Sequence, residues 1–283
     1  MEKLTPMLQQ YLQIKERYPD AILFFHIGDF YEMFFEDAEI GSKILEITLT
    51  SRNKKDQTPV PLCGVPYHSA RPYIMKLIQA GYKVALCDQV EKPDPSKGIV
   101  KREVVQVITP GTLLEIGDLD EKSNNYLISI FYEDNQFGIA IADVSTGEMK
   151  FCQTEDSFSF IEELIRNNPR ELILPEKIKN HPIHEVINKE IKGLIFNYFN
   201  NSSFDVDIFI KWANSLSIFS NNWMDFPLGI RASAGIISYI KQSQGIFPSH
   251  FRQINSYKIQ DYLILDEDAK RNLEVFGTYF EGK

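Results

Sequence analysis

Apolar and polar positions follow two different periods in the first part of the chain, which predicts helices and strands in mixed order. Residues 21–27 form a run that is too short and too apolar for an exposed helix, so a buried strand is expected there. The surrounding pattern predicts helices near residues 6–15, 37–47 and 69–80, and strands near residues 82–90 and 100–109. Residues 59–66 begin and end with proline and are expected to form a loop.

A different pattern begins near residue 125. Three runs of apolar residues are separated by two turn pairs, Asp134 with Asn135 and Thr146 with Gly147, which predicts a three-stranded antiparallel meander. After the meander, the pattern predicts strands near residues 171–176 and 194–199, and helices near residues 160–167, 209–216 and 229–244. A meander followed by alternating strands and helices is the order of a ribonuclease-H-like fold, so the chain as a whole is predicted to be mixed α/β.

The breaks between these patterns predict the domain organisation. Residues 1–111 read as one α/β domain with a mixed sheet, and the acidic stretch 112–123 reads as a linker. Near the other end, residues 263–276 have the pattern of a capped amphipathic helix with nothing after it to pack against. That arrangement is expected of a fragment of a longer chain.

Composition excludes several classes of protein. A chain of 283 residues fits two domains, and 43% hydrophobic with 24% charged residues is typical of globular proteins. We find neither a signal peptide nor an apolar run of the roughly 20 residues that a membrane span requires, so a cytoplasmic, nucleoid-associated location is expected. Cys63, Cys87 and Cys152 have no C-x-x-C spacing, which argues against a disulfide framework or a zinc site.

The distribution of charge says more than the net charge of −9. Residues 1–110 hold 14 Lys and Arg against 14 Asp and Glu, whereas the remainder holds 16 against 25. If the chain binds nucleic acid, the first 110 residues are therefore the better candidate. A local basic cluster at Arg52, Lys54 and Lys55 would make the contact, because a general basic field is absent from the sequence.

The segment GDFYEMF, residues 28–34, carries the most informative pattern. In a strand, Phe30 and Glu32 point to one face while Tyr31 and Met33 point to the other. The ordinary interpretation is that this segment is simply core. A core, however, does not tolerate an unpaired carboxylate. A surface that stacks on a planar group and accepts a hydrogen bond from it would need both an aromatic ring and an acid.

Other polar residues have simpler explanations. The alternative to a binding surface is a metal-dependent nuclease site centred on Asp143, with further carboxylates at Glu148, Asp205 and Asp207. Such folds place an Asp on the first strand, whereas Asp143 lies in the second strand of the meander, and Asp205 and Asp207 lie in a polar, Asn-rich loop where solvated acids are common. His181 and His184 are expected to be surface-loop histidines, since no acids stand near them at ligand spacing. Residues 277–283 have part of the spacing of a phosphate loop but follow a helix instead of a strand.

Several motifs in fixed order carry a family resemblance. They are TPMLQQYLQIK, FFHIGDFYEMFFEDA, LTSR, CGVPYHS, SKGIVKREVVQVITPGT and IADVSTGE. Together they resemble the N-terminal part of the MutS family of DNA mismatch-repair proteins, over nearly the whole chain. The resemblance implies that Phe30 and Glu32 read the mismatch: the ring wedges into the minor groove and stacks on a mispaired base, and the carboxylate hydrogen-bonds that base.

The resemblance also implies DNA contacts outside the GDFYE motif. The family's basic position after the second helix corresponds to Arg52, a DNA-backbone contact, although the preceding position, often basic in the family, is Ser51 here. Lys97 and Lys101 are weaker candidates for phosphate contacts. The DNA partner implied is mismatched duplex. No catalytic residue and no metal or cofactor site is expected in this chain.

The resemblance finally implies a division of labour along the chain. Residues 1–111 correspond to the mismatch-recognition domain, residues 124–258 to the connector domain and residues 259–283 to the start of the helical core. In the family the connector relays to the ATPase and to the partner MutL, and the full-length protein is a homodimeric ATPase whose ATP and Mg²⁺ bind in a domain outside this chain. A third interpretation is a protein-interaction connector whose first domain is merely structural.

Overall fold

The computed structural model describes residues 4–52, 59–91, 99–112, 125–246 and 251–261. Lys54, Lys55, Lys97, the predicted linker beyond residue 112 and the predicted helix over 263–276 lie outside these residues. Two six-stranded sheets organise the described part of the chain, one in each half. This arrangement confirms the mixed α/β class.

The first sheet has the strand order β3-β4-β2-β1-β5-β6. Its strands are Ala21–Ile27 (β1), Phe30–Phe34 (β2), Thr50–Arg52 (β3), Val60–Pro66 (β4), Lys83–Gln89 (β5) and Arg102–Ile108 (β6). Three helices accompany them, Pro6–Lys15 (α1), Phe35–Leu45 (α2) and Arg71–Gln79 (α3). Strands β1 and β5 run parallel and the other neighbours antiparallel, so the sheet is mixed, as predicted.

Local sequence explains how the first helix and hairpin form. The Thr5 hydroxyl accepts a 3.4 Å hydrogen bond from the backbone N–H of Leu8, and Pro6 occupies the first turn of α1, as predicted. The aromatic run then reverses at Gly28, which has a φ of +56°. Strand β2 folds back on β1, so the run forms a hairpin in the middle of the sheet.

The prediction of a loop over 59–66 is wrong. Strand β4 occupies this segment and lies between β2 and β3. Cys63 and Val65 are buried, and their burial on alternate positions fits a strand face. Pro61 and Pro66 lie near the two ends of the strand, where a missing backbone N–H is tolerated. The two prolines are therefore compatible with a strand, and the alternation of buried positions is the signal that indicates it.

The second sheet has the order β11-β10-β7-β8-β9-β12. Its strands are Tyr126–Glu133 (β7), Gln136–Asp143 (β8), Glu148–Thr154 (β9), Glu171–Pro175 (β10), Ile195–Phe199 (β11) and Gln253–Ser256 (β12). Its helices are Ser157–Asn167 (α4), Pro182–Glu190 (α5), Val206–Ser215 (α6) and Pro227–Gln244 (α7). The antiparallel meander β7-β8-β9 joins parallel strands β10 and β11 beside β7, which confirms the ribonuclease-H-like order.

Turn chemistry sets the meander, while two short elements of the second half, like β3 in the first half, were not predicted. Asp134 and Asn135 have φ of 49° and 60°, and Gly147 has a φ of 74°, so both predicted turns use the left-handed backbone that these residues tolerate. Helix α5 and strand β12 were missed. His181 caps the N-terminus of helix α5, since its ring Nδ1 accepts a 3.2 Å hydrogen bond from the Ile183 N–H. His184 lies within the helix, so the prediction of loop histidines is wrong for both residues.

A buried carboxylate joins the two halves of the chain. Glu171, at the start of β10, is fully buried. Its carboxylate accepts hydrogen bonds from the Thr109 hydroxyl at 2.6 Å and the Gly111 N–H at 2.8 Å, both just after β6. It also accepts from the Tyr239 hydroxyl at 2.8 Å and the Asn197 amide at 3.2 Å, both in the second half. The carboxylate therefore fixes the end of the first sheet against the second.

Candidate nucleic-acid interface

Phe30 stands next to the turn of the hairpin formed by β1 and β2, where it pairs with Ile27. Its side chain is 47% exposed, whereas Tyr31 and Met33, which point to the other face, are buried. Helix α1 covers the far end of the Phe30 face, where the Tyr11 ring meets the Phe34 ring edge-on at 5.1 Å. Because α1 does not extend over Phe30, the first ring of the strand stays in solvent while the last becomes core.

The turn that presents Phe30 is braced from the opposite face. The backbone N–H of Tyr67 donates a 2.8 Å hydrogen bond to the Asp29 carbonyl. The Tyr67 ring stacks on His26 with centroids 4.1 Å apart, and the Tyr31 hydroxyl donates to Asp88 at 2.9 Å. These contacts fix the turn on both strands, so Phe30 projects from a rigid support.

Glu32 lies one pleat further along the same face and forms an ion pair. Its side chain is 22% exposed, and its Oε2 lies 3.3 Å from Nη1 of Arg52, whose side chain is 40% exposed. Burial raises the pKa of Glu32, and the nearby guanidinium of Arg52 lowers the pKa in part. The structure thus brings together three of the predicted site residues. We call the surface formed by Phe30, Glu32 and Arg52 the reading face.

A glycine keeps space beside the Glu32 carboxylate. Gly64 is the cross-strand partner of Glu32 on β4. A Cβ atom at this position would lie 3.6 Å from Glu32 Cγ and 3.2 Å from the carbonyl oxygen of Tyr31. The missing side chain leaves one flank of the carboxylate open. Sequence reasoning placed Gly64 in a loop and did not connect it with Glu32.

Arg102 is a further cation near the hairpin that sequence reasoning missed. It is buried, and its guanidinium donates to the His26 carbonyl at 2.8 Å and to Gln10 Oε1 and the Val100 carbonyl, each at 3.2 Å. It also lies 4.9 Å from the centroid of the Phe25 ring. Burial lowers the pKa of Arg102. Its hydrogen bonds fasten α1 and β6 to the end of β1, just before the turn that carries Phe30.

Lys101 is exposed but already paired. Its ammonium lies 2.7 Å from the Glu103 carboxylate, which raises the pKa of Lys101. The structure gives it no contact with the reading face. Lys97 lies outside the described residues, so its place relative to this surface stays a prediction.

Two carboxylates of the nuclease alternative, Asp143 and Asp205, serve local structure. Asp143 is buried at the end of β8, where one oxygen accepts from the Ser145 N–H at 2.9 Å and hydroxyl at 2.6 Å, and the other from Asn125 N–H at 3.3 Å. Asp205 caps α6 by accepting from Asp207 N–H at 2.9 Å. Within the described ranges, no three His, Cys, Asp or Glu side chains are grouped to hold a metal ion.

Comparison with known families decides the classification. One family model, MutS domain I, matches residues 5–116, and a second, MutS domain II, matches residues 125–252. The chain belongs to the MutS family. The first matched range contains all six strands of the first sheet, and the second contains five of the six strands of the second sheet, all except β12. The predicted boundaries at 111, 123 and 258 stay predictions.

Curated MutS proteins are similar over almost the entire chain. DNA mismatch repair protein MutS of Ruminiclostridium cellulolyticum is 41% identical over 99% of this chain, and that of Acetivibrio thermocellus is 43% identical over 99%. MutS of Staphylococcus haemolyticus is 43% identical over 97% of the chain. The chain spans 33%, 33% and 29% of these three relatives, respectively. In the part of the chain that the structure describes, no helix has the length and apolar character needed to cross a bilayer.

Proposed function

We propose that this chain carries the mismatch-reading surface of a DNA mismatch-repair protein. Phe30 enters the minor groove and stacks on a mispaired base, and Glu32 accepts a hydrogen bond from that base. The observation that carries the proposal is the placement of an aromatic ring, 47% exposed, beside a half-buried carboxylate on the same sheet face. Membership of the MutS family supports it.

The minor groove suits a protein that has to ignore sequence. Its edge pattern is degenerate, so a reader placed there responds to the strength of pairing more than to base identity. An apolar wedge costs a few kcal/mol of unstacking per step, and this cost is lowest where pairing is already defective. Stacking on an aromatic ring returns about 1–3 kcal/mol per base. The balance favours a mispair and is near zero on sound duplex.

The carboxylate adds to this discrimination. Glu32 is repelled by phosphates, and a half-buried acid that loses its partner costs about 1–3 kcal/mol. A displaced base can satisfy it with an N–H donor, whereas a paired base offers that donor to its own partner. Glu32 therefore penalises binding to sound duplex more than it aids binding to a mispair.

Phosphate contacts supply the remaining affinity. Arg52 is the described cation on the reading face, with Lys101 and Lys97 as weaker candidates. Because residues 1–110 have equal numbers of acidic and basic side chains, this chain alone binds DNA weakly. The remaining two thirds of a full-length relative would supply most of the phosphate contacts, together with the ATP and Mg²⁺ site.

The domain II half relays the state of the reading face to that ATPase and to MutL. Full-length protein acts as a homodimer in which one subunit inserts its Phe30. Glu171 supports this relay, because its carboxylate accepts hydrogen bonds from both halves of the chain.

A gel-shift series tests the proposal. The duplexes contain a G·T pair, a one-base insertion or only matched pairs, and the proteins are wild type, Phe30→Ala and Phe158→Ala. Phe158 is a suitable control because it is 66% exposed and lies on α4, in the second half of the chain. We expect Phe30→Ala to lose the preference for the defective duplexes while Phe158→Ala keeps it. An unchanged preference in Phe30→Ala would refute the proposed role of the ring.

A further inference from the structure

The two polar groups of the reading face are already bound to each other. Arg52 Nη1 and Glu32 Oε2 lie 3.3 Å apart. In the proposed function, however, Arg52 binds a phosphate and Glu32 binds a base. Phe25 and Gly64, the cross-strand neighbours of Glu32, offer the carboxylate no side-chain donor. Among the described residues, Arg52 is the only cation at ion-pair distance from Glu32. The two residues proposed to contact DNA are therefore bound to each other in the free protein, and each contact competes with this ion pair.

We propose that Arg52 is a specificity-determining residue for mismatch recognition, because it competes with the mispaired base for the Glu32 carboxylate. This inference rests on the proposed function and adds a coupling to it. Arg52 holds Glu32 when no base does. It is released to a phosphate when a displaced base takes over the carboxylate.

On sound duplex, Arg52 cannot serve both partners well. If it keeps Glu32, its phosphate contact is forgone. If it turns to a phosphate, the half-buried carboxylate is left without a partner. A bridge through the same guanidinium would bring a phosphate close to Glu32, and the two anions repel each other. In each of these arrangements, the complex with matched DNA lacks one favourable interaction.

At a mispair, both groups are satisfied. The displaced base donates to Glu32, and the freed guanidinium makes a charge-assisted contact with the backbone. Binding to a mispair therefore neutralises one more phosphate than binding to sound duplex. Each neutralised phosphate changes the slope of log affinity against log salt by about 0.9 in B-DNA. The coupling thus has a signature in salt dependence, which a purely structural ion pair would not produce.

The experiment measures binding of the 283-residue chain to G·T and matched duplexes by fluorescence anisotropy at several low salt concentrations. The variants are Arg52→Gln and, as the matched control for loss of one charge, Lys43→Gln on the exposed side of α2. In wild type, the slope for the G·T duplex is expected to be steeper than that for matched DNA by about 0.9. In Arg52→Gln, this difference disappears, and the ratio of the two affinities falls about three- to tenfold. Lys43→Gln retains both.

Equal slopes in wild type, or a difference that persists in Arg52→Gln, would overturn the inference. Phe30→Ala, measured in parallel, distinguishes failure of this inference from failure of the proposed function. If Phe30→Ala still prefers the mispair, the proposed function itself fails. If Phe30→Ala loses the preference while Arg52→Gln lowers both slopes alike, only the competition fails. Because the Arg52 side chain is 40% exposed, its replacement leaves the fold intact, which far-ultraviolet circular dichroism verifies.

Discussion

The Lys83 ammonium, on β5 of the first sheet, donates a 2.5 Å hydrogen bond to the side-chain oxygen of Asn197, on β11 of the second. Lys83 is 9% exposed and also pairs with Asp20, while Asn197 donates onward to Glu171. A charged group is thus held between the sheets with partners on both sides. Because Lys83, Asn197 and Glu171 are buried, the hydrogen bonds among them hold the two halves in one relative orientation.

Glu171→Gln is expected to lower the free energy of unfolding by about 1–3 kcal/mol. The substitution replaces one acceptor oxygen with an NH₂ group, which faces donors from Thr109, Gly111, Tyr239 or Asn197. Urea denaturation measures the change. Glu176→Gln, at an exposed position five residues along the chain, is the control and should lie within about 0.5 kcal/mol of wild type. Equal stability of the two variants would show that the buried network contributes little.

Phe30→Leu is expected to separate wedging from stacking. Leucine keeps an apolar side chain at the tip of the hairpin but lacks the aromatic face, so mismatch affinity should fall between those of wild type and Phe30→Ala. Phe30→Ala itself should remove mismatch binding nearly completely. The urea midpoint should not move in either variant, because the ring is 47% exposed. Anisotropy titrations with a G·T duplex give the affinities, and a Leu variant equal to wild type would argue against stacking.

Glu32→Ala is expected to bind sound duplex somewhat better than wild type and to discriminate less. Removing the acid removes its repulsion by phosphates and the cost of leaving it unpaired on matched DNA. Competition binding with matched and G·T duplexes measures both affinities. An equal loss of affinity for the two duplexes would assign Glu32 to general DNA binding instead.

The stability of Glu32→Gln relative to wild type should depend on pH. Burial raises the pKa of Glu32 above its ordinary value, with Arg52 opposing. The acid therefore contributes stability below its unfolded-state pKa and loses that contribution as pH rises through its folded-state pKa. Glutamine does not titrate, so the difference should shift in favour of the variant between acidic and neutral pH. Urea midpoints across this range provide the measurement, and a shift in the opposite direction would mean that Arg52 outweighs burial.

Asp143→Asn addresses the nuclease alternative. With plasmid and Mg²⁺ or Mn²⁺, neither wild type nor the variant is expected to cleave, because the carboxylate is occupied by Ser145 and Asn125. The variant should instead be less stable by about 1 kcal/mol, since an amide offers one acceptor oxygen where the acid offers two. Cleavage by wild type that the variant loses would restore the nuclease interpretation.

Local signals were sufficient for much of the fold. The Thr5 cap, the turn pairs at Asp134 and Thr146, and the alternation from Phe30 to Met33 each depend on residues within one element or one hairpin. The structure matches the sequence prediction at each of these places. The loop prediction for β4 failed because a paired neighbour strand, not local propensity, decided that segment.

The contacts that complete the site were beyond reach of the sequence. Arg52 meets Glu32 across 20 residues of chain, and Arg102 meets the His26 carbonyl across 76. Glu171 contacts Thr109 across 62 residues. Periodicity reports which face a residue occupies within its own element, but not which distant side chain reaches that face. The family resemblance pointed to Phe30, Glu32 and Arg52 as site residues. Only the structure showed that Glu32 and Arg52 form an ion pair.

Helix α7 contacts both halves of the chain, one at each of its ends. Its first turn lies so close to β8 that a Cβ atom on Gly138 would sit 2.0 Å from the Leu228 carbonyl oxygen. At its other end, the Gln244 amide donates a 3.1 Å hydrogen bond to the carbonyl of Thr112, just beyond the first sheet. The helix that carries both contacts has 18 residues and is about 27 Å long. Thr112 and the central strand β8 are therefore connected through one regular helix and not through a flexible loop.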